Sequence, residues 1–433
     1  MTSRIKLFVA TFAMLLATQY AVADDVRIAT FNVDATPAVG TPVAYAPVRE
    51  ILDPLSARGI VLLGAEQPVV LCAVDWIGIG NDGYDAWREK LAEAAGTTPE
   101  HVAVHTLHQH DGARCDFTTE QLLAERGLGG KHFDNGFLHQ TIDRAAAAIR
   151  EALKGSQVVT HIGVGVAKVD KVASNRRILD ADGKVKIIRW SKSSDPAAIA
   201  APEGVIDPLL QSISFWNEQT PIASLTYYAT HPQSYYGDGD VTSEFVGLAR
   251  AAREEALPNV AHIHFNGASG NVAAGKYNDG SRELRPILAA RMERGMREAW
   301  EATSKRPITV DDIEWRVEPV QLPAAEHLDE AKLTALMDDD KTPAATRLNS
   351  ASHLAWLQRS RSGLTIDTSC LRLGDVYLVH MPGELFIEYQ LAAQAIRPED
   401  TVCMAAYGDY GPGYIGTEIA YGQGGYETSD RAS

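Results

Sequence analysis

The sequence predicts an α/β fold, with mixed β-sheets covered by helices in a layered α-β-β-α arrangement and the active site at the C-terminal ends of strands. Two observations carry this expectation. Strand-like and helix-like segments alternate along the chain and do not segregate into halves. Five short polar clusters each follow directly on an apolar, strand-like run: residues 108–113 (HQHDGA), 230–234 (THPQS), 266–271 (NGASGN), 381–384 (MPGE) and the tyrosine/glycine stretch from Tyr407. Open α/β sheets bind ligands at the carboxyl ends of their strands, where loops from distant parts of the chain converge.

Residues 1–23 read as a secretory signal. Arg4 and Lys6 precede the apolar residues 7–16, and Ala21-Val22-Ala23 offers a small-residue cleavage site before Asp24. That apolar stretch is shorter than the ~20 residues a spanning helix needs, so export, periplasmic or extracellular, is expected over anchoring. Strands follow at 60–63 and 68–79, then a helix at 84–95 stopped by Gly96, a strand at 102–107 and a helix at 137–153 ended by Gly155. Ile162, Val164 and Val166 alternate with small or polar residues as in a half-buried strand. Residues 210–216 and 222–228 read as a strand pair, and 244–257 and 283–303 as helices. The helical, charged stretch 323–363 reads as peripheral cover with a break at 341–343. Gly374-Asp375 is a two-residue hairpin turn between strands at 370–373 and 376–381. A helix is expected from Glu384 to about residue 395, a strand at 401–406 and a loose tail after Gly424.

With 433 residues of which 45% are hydrophobic, the chain can bury a large core. A formal net charge of −16 and the absence of a Lys/Arg run argue against a nucleic-acid partner. Four cysteines are too few for a disulfide scaffold; Cys370 and Cys403 either face each other as one bridge or stay as buried thiols.

Together the five clusters hold histidines, carboxylates, tyrosines and hydroxyls, the inventory a catalytic zinc site draws on. Strand alternation places His108 and His110 on one face, with His105 and Gln109 on the other. His231 precedes Pro232, which favours an extended residue before it and so sets the imidazole at a strand end. A lone Glu384 is explained equally by the dipole of the helix it would start; the preceding strand nevertheless delivers it to the end of the sheet where the histidines lie. Around Ser269 the glycines let backbone N–H groups turn toward a ligand, but Asn271 stands where a nucleophile elbow would need glycine. The tyrosine/glycine segment is too glycine-rich for a helix and too aromatic for a linker, which suits a flap over a pocket.

In this order the motifs resemble those of the neutral (non-lysosomal) ceramidases, zinc amidases that cleave the N-acyl bond of ceramide. The family's H-T-H-S-G-P is similar to residues 108–113, its H-P motif to His231-Pro232, and its P-G-E to Pro382-Gly383-Glu384. Its Y-V-T-T segment with later tyrosines resembles Tyr414-Ile415-Gly416-Thr417, Tyr421 and Tyr426; its N-R-S segment resembles Asn175-Arg176-Arg177, and its G-D-x-S-P-N the loop around Ser269. The resemblance implies Zn2+ bound by His108, His231, Glu384 and Tyr414, with His110, Arg176, Ser269 and Tyr426 as catalytic or substrate-facing residues. Asp111 replaces a serine, Gly270 a proline, and the family's C-terminal immunoglobulin-like domain is not expected, so residues 24–433 read as a single catalytic domain.

The function expected is metal-activated hydrolysis of a linear amide, on N-acylsphingosine or a related lipid or small-molecule amide, with peripheral contact at a membrane and no protein partner inferred. Two rivals stand beside it: a metal-free acyl hydrolase using Ser269 as nucleophile, and a non-catalytic binder of lipid or glycan. An H-x-H-x-D-H site is excluded, because Gly112 and Ala113 occupy its Asp and His positions.

Overall fold

The computed structural model describes residues 25–432; the leader expected at 1–23 lies outside the described residues. Three mixed sheets make up most of the interior. The first runs in the order Val102–Thr106, Val69–Val74, Ser56–Leu63, Arg27–Asp34, Gln157–Val158. The second runs Ala261–Asn266, Thr220–Tyr228, Leu209–Asn217, His161–Lys168, Ser304–Pro307, and the third Ile313–Val320, Ile366–Leu373, Val376–His380, Thr401–Ala405. The sheets share a core in which Ile28, Leu71, Phe215, Leu225, Leu371 and Leu378 are fully buried. Helices Asp82–Ala95 and Asn135–Lys154 cover the outer face of the first sheet through Trp87, Leu91 and Ile149. On the second sheet, Glu244–Ala256 and Leu284–Glu301 do the same through Phe245, Leu288 and Met292. This is the expected α-β-β-α layering, with the third sheet closing one side.

Each sheet contains one parallel pair at its edge: Val69–Val74 with Val102–Thr106, Thr220–Tyr228 with Ala261–Asn266, and Val376–His380 with Thr401–Ala405. Their C-terminal ends are stitched together by backbone hydrogen bonds, Thr106 N to Tyr407 O at 2.9 Å and Ala406 N to Asn266 O at 3.0 Å. Four of the five polar clusters emerge from this junction, and the segment after Tyr407 continues from the last.

Several local expectations change. Ile162 and Val164 pack into the shared core as expected, but Val166 is 41% exposed, and Gly163 and Gly165 on the other face are buried as well. A Cβ on Gly165 would come within 1.9 Å of the Ala299 carbonyl oxygen, so the glycines let helix Leu284–Glu301 lie directly on the strand backbone. Cys370 and Cys403 do not bridge: strand Val376–His380 lies between their strands, and all four cysteines are free. The helix expected from Glu384 begins only at Ile387; Glu384–Leu385 instead pairs in parallel with Tyr414–Ile415. The segment after Gly424 is no loose tail, because Glu427 is fully buried and Tyr414 N donates to Ala432 O at 3.2 Å.

The layers are also tied by a buried ion pair. Arg250, on helix Glu244–Ala256, grips Asp75 at the end of strand Val69–Val74 through two bonds of 2.9 and 2.6 Å, and the Ser56 amide and hydroxyl and the Gln109 side-chain amide also donate to the carboxylate. Burial would raise the Asp75 carboxyl, but Arg250 outweighs it and holds the group below its ordinary value. The replacement Arg250→Met, which leaves that carboxylate buried without its paired guanidinium, should lower stability by about 3–5 kcal/mol in denaturant melts. Because the folded-state pKa is depressed, Asp75 contributes stability at pH above ~4 that is lost as pH falls through its folded value. Asp75→Asn should therefore flatten the acid limb of the stability–pH curve.

Candidate active site

The strand that leads to His108 ends at Thr106, so His108 and His110 sit in a loop and not on alternating strand positions. His108 has φ 64°, a positive value uncommon for a bulky residue, and its amide is held by Trp76 O at 2.9 Å. The turn brings both rings to the same place, with Nε2 of His110 3.1 Å from Nε2 of His108. His105 points into the interior, where its Nε2 meets Nδ1 of His380 at 3.0 Å.

The two histidines expected to bind metal are oriented in the same way. Nδ1 of His108 is 2.7 Å from Ile77 O, and Nδ1 of His231 is 2.7 Å from Ser269 O and 3.1 Å from Val272 O. A carbonyl only accepts, so each Nδ1 carries a proton and each Nε2 is turned toward the cluster. Both Nε2 atoms face one oxygen of Glu384: Oε2 lies 3.4 Å from His108 Nε2 and 3.0 Å from His231 Nε2. The other oxygen, Oε1, accepts from the Tyr410 hydroxyl at 2.5 Å. Burial would raise the Glu384 carboxyl, but His108, His231 and the Tyr410 bond hold it at about 2. His108 is itself pushed down to about 4, by burial first and against the pull of Glu384.

Donor atoms of His108, His231 and Glu384 lie within 4.8 Å of one another, and all three residues are buried. Two imidazoles with their Nε2 atoms turned inward and an ionised carboxylate form a donor set that could hold a divalent metal ion. Glu384 reaches this position by backbone packing: Gly270 donates to Leu385 O at 2.9 Å, and a Cβ on Gly270 would come within 2.3 Å of Glu384 O. The glycine therefore serves close backbone approach to the Glu384 strand.

Arg176 lies beside the cluster, its Nη1 donating to the Tyr414 hydroxyl at 3.1 Å and lying 3.4 Å from His231 Nε2. Burial would lower its pKa, but Tyr414 and Glu427 raise it, and the Glu427 carboxylate is 3.3 Å from Arg176 Nε. The Tyr414 phenol is raised well above its ordinary value by burial, with Arg176 opposing. Tyr426 packs edge-on against Tyr414, at 5.8 Å between ring centroids, and against Trp190 at 5.1 Å.

Seven of the eight expected site residues line one open cavity. Ser269 does not. Its hydroxyl is fully buried and meets Tyr407 Oη at 2.7 Å and Asn266 Oδ1 at 3.4 Å, while its carbonyl orients His231. Neither hydroxyl contact is a histidine, so the geometry supplies no base for a serine nucleophile. Nδ1 of His110 is buried without a partner among the described residues, and burial keeps its ring well below the ordinary histidine pKa.

Other cavity residues were not anticipated: Tyr45, Arg114, Trp190, Tyr236, Trp356 and, behind Arg176, Glu427. Trp356 belongs to helix Ala344–Arg361, within the stretch expected to be peripheral cover, and that helix forms one cavity wall. Arg114, Tyr236 and Glu427 had a local signal, since each follows within five residues of a motif histidine or tyrosine.

No protein-family model matches the chain, and no curated protein does. Solved structures do. The neutral ceramidase from Pseudomonas aeruginosa superposes with a TM-score of 0.67 at 15% identity, covering 94% of this chain and 71% of that one. A ceramidase complexed with C2 gives 0.66 at 14% identity, covering 94% and 72%. The resemblance expected from short motifs thus holds at the level of architecture: this chain has the mixed α/β fold of the neutral ceramidases.

Proposed function

We propose that this chain is an exported, zinc-dependent hydrolase that cleaves a linear amide bond, with a single catalytic domain over residues 24–433. The observation that carries the reading is the convergence of His108, His231 and Glu384, from three different sheets, at the cavity with their donor atoms within 4.8 Å. The fold shared with the ceramidase structures supports an amide as the bond attacked, with a lipid or small-molecule N-acyl compound as substrate. Tyr414 joins the zinc ligands in this reading.

Bound at these donors, Zn2+ supplies Lewis acidity and lowers the pKa of water from ~16 toward ~7. The protein's own groups do the rest. Arg176, anchored by Glu427, and the phenol of Tyr426 place donors where negative charge develops on the scissile carbonyl oxygen. His110 is neutral and has an unpartnered Nδ1, so it takes up the proton released by water and returns it to the leaving amine nitrogen. Glu384 keeps its charge through Tyr410, and Ser269 holds the His231 ring by its carbonyl.

Elemental analysis of the purified protein should find stoichiometric zinc, lost together with amidase activity in His108→Ala and His231→Ala; zinc-free protein with full activity would overturn the reading. Arg176→Met should retain zinc and lower kcat roughly 100- to 1000-fold on an N-acyl amide, the loss typical of removing one oxyanion donor. Intact zinc with no turnover on any N-acyl amide would instead favour the non-catalytic binder.

A further inference from the structure

Three arginines line the cavity, Arg114, Arg176 and Arg431, in a chain whose formal net charge is −16. Arg176 is matched by the buried carboxylate of Glu427. Arg114 and Arg431 form no ion pair among the described residues, and of these two Arg114 has a buried Nε without a hydrogen-bond partner. A buried donor without an acceptor has given up its hydration and received nothing in return, which in a binding site points to a missing ligand atom. The Arg114 guanidinium lies over the Tyr45 ring, with Cζ 5.9 Å from the centroid, and the same ring packs 5.3 Å from His110. Tyr45 therefore bridges the unmatched charge and the proton-carrying imidazole.

The walls bear on the substrate too. Ile77 and Leu328 are the large aliphatic side chains on the lining, whereas Tyr45, Trp190, Tyr236 and Trp356 present rings. A lipid with two long chains needs a run of aliphatic surface; rings beside a cation suit a compact substrate with an aromatic or short substituent and an anionic group.

We infer that the amide taken by this site carries a carboxylate, as in the chemical class of N-acyl amino acids, and that Arg114 is the residue that reads it. The inference rests on the amide-hydrolase reading above. A planar, permanently charged guanidinium matches a carboxylate through two parallel N–H bonds. A site built around such a donor rejects the neutral analogue, because the donor is then left unpaired.

The test uses the protein as purified and two non-hydrolysable sulfonamide probes, N-methylsulfonyl-phenylalanine and its decarboxylated counterpart N-methylsulfonyl-phenethylamine, measured by calorimetry. The acid should bind about tenfold or more tightly than the neutral probe, the discrimination expected of a charged hydrogen bond. Arg114→Leu should erase that preference while leaving the neutral probe's affinity unchanged, and Arg114→Lys should restore part of it. Equal affinities, no binding of the acid, or an Arg114→Leu loss shared by both probes would overturn the inference. Hydrolysis of N-acetylphenylalanine and N-acetylsphingosine separates the two levels. Acid-selective binding with neither amide cleaved refutes the hydrolase reading and leaves Arg114 as the carboxylate reader. Cleavage of N-acetylsphingosine with no acid preference leaves the hydrolase and refutes the inference.

Discussion

A carboxylate buried 98% away from water is the constraint on which the rest of this site depends, since Glu384 is 2% exposed. An isolated carboxylate at such a place would take up a proton and become neutral. Glu384 stays ionised because two imidazoles and a phenol converge on it, and each of those is fixed by something further out. Carbonyls of Ile77, Ser269 and Val272 set the tautomers of the histidines, and the parallel pairing of Glu384–Leu385 with Tyr414–Ile415 carries Tyr414 to the same point. The polar centre is thus a chain of obligations that runs outward into the backbone of all three sheets.

The sheets meet those obligations by sharing an edge. Three parallel pairs end together, and the loops leaving them carry His108, His231, Glu384 and Tyr407. Three non-glycine residues near this junction have positive φ: His108 at 64°, Glu244 at 58° and Tyr407 at 60°. Each such residue costs on the order of 1–3 kcal/mol unless its surroundings enforce it. Here they do: Tyr407 N donates to Gly383 O at 2.9 Å, and the Glu244 carboxylate is gripped by Ser234 and Arg285. Strain at the loops is balanced by the packed layers, which connects the stability of the core to the geometry of the site.

Much of this was legible from local pattern. Alternating apolar segments announced the layers, Gly96 and Gly374 marked a helix end and a hairpin turn, and both have positive φ, at 69° and 66°. His108, His231 and Glu384 stood out because each follows an apolar run directly. Where a residue's role came from a distant segment, pattern failed. Gly163 and Gly165 looked like the idle face of a strand until the helix that lies on them was in place. Glu384 looked like a helix start because the strand it pairs with lies thirty residues further on.

The sequence by itself determined which residues could serve a metal site and at which strand ends they would stand, because side-chain chemistry and hydrophobic period are local properties. Tertiary structure alone decided that Ser269 acts through its carbonyl, that Glu427 is a buried counter-ion and that Arg114 faces the cavity unmatched. The physical reason is the same in each case. Charge balance and hydrogen-bond satisfaction belong to groups brought together in space, and no spacing along the chain encodes which carboxylate a given arginine will meet.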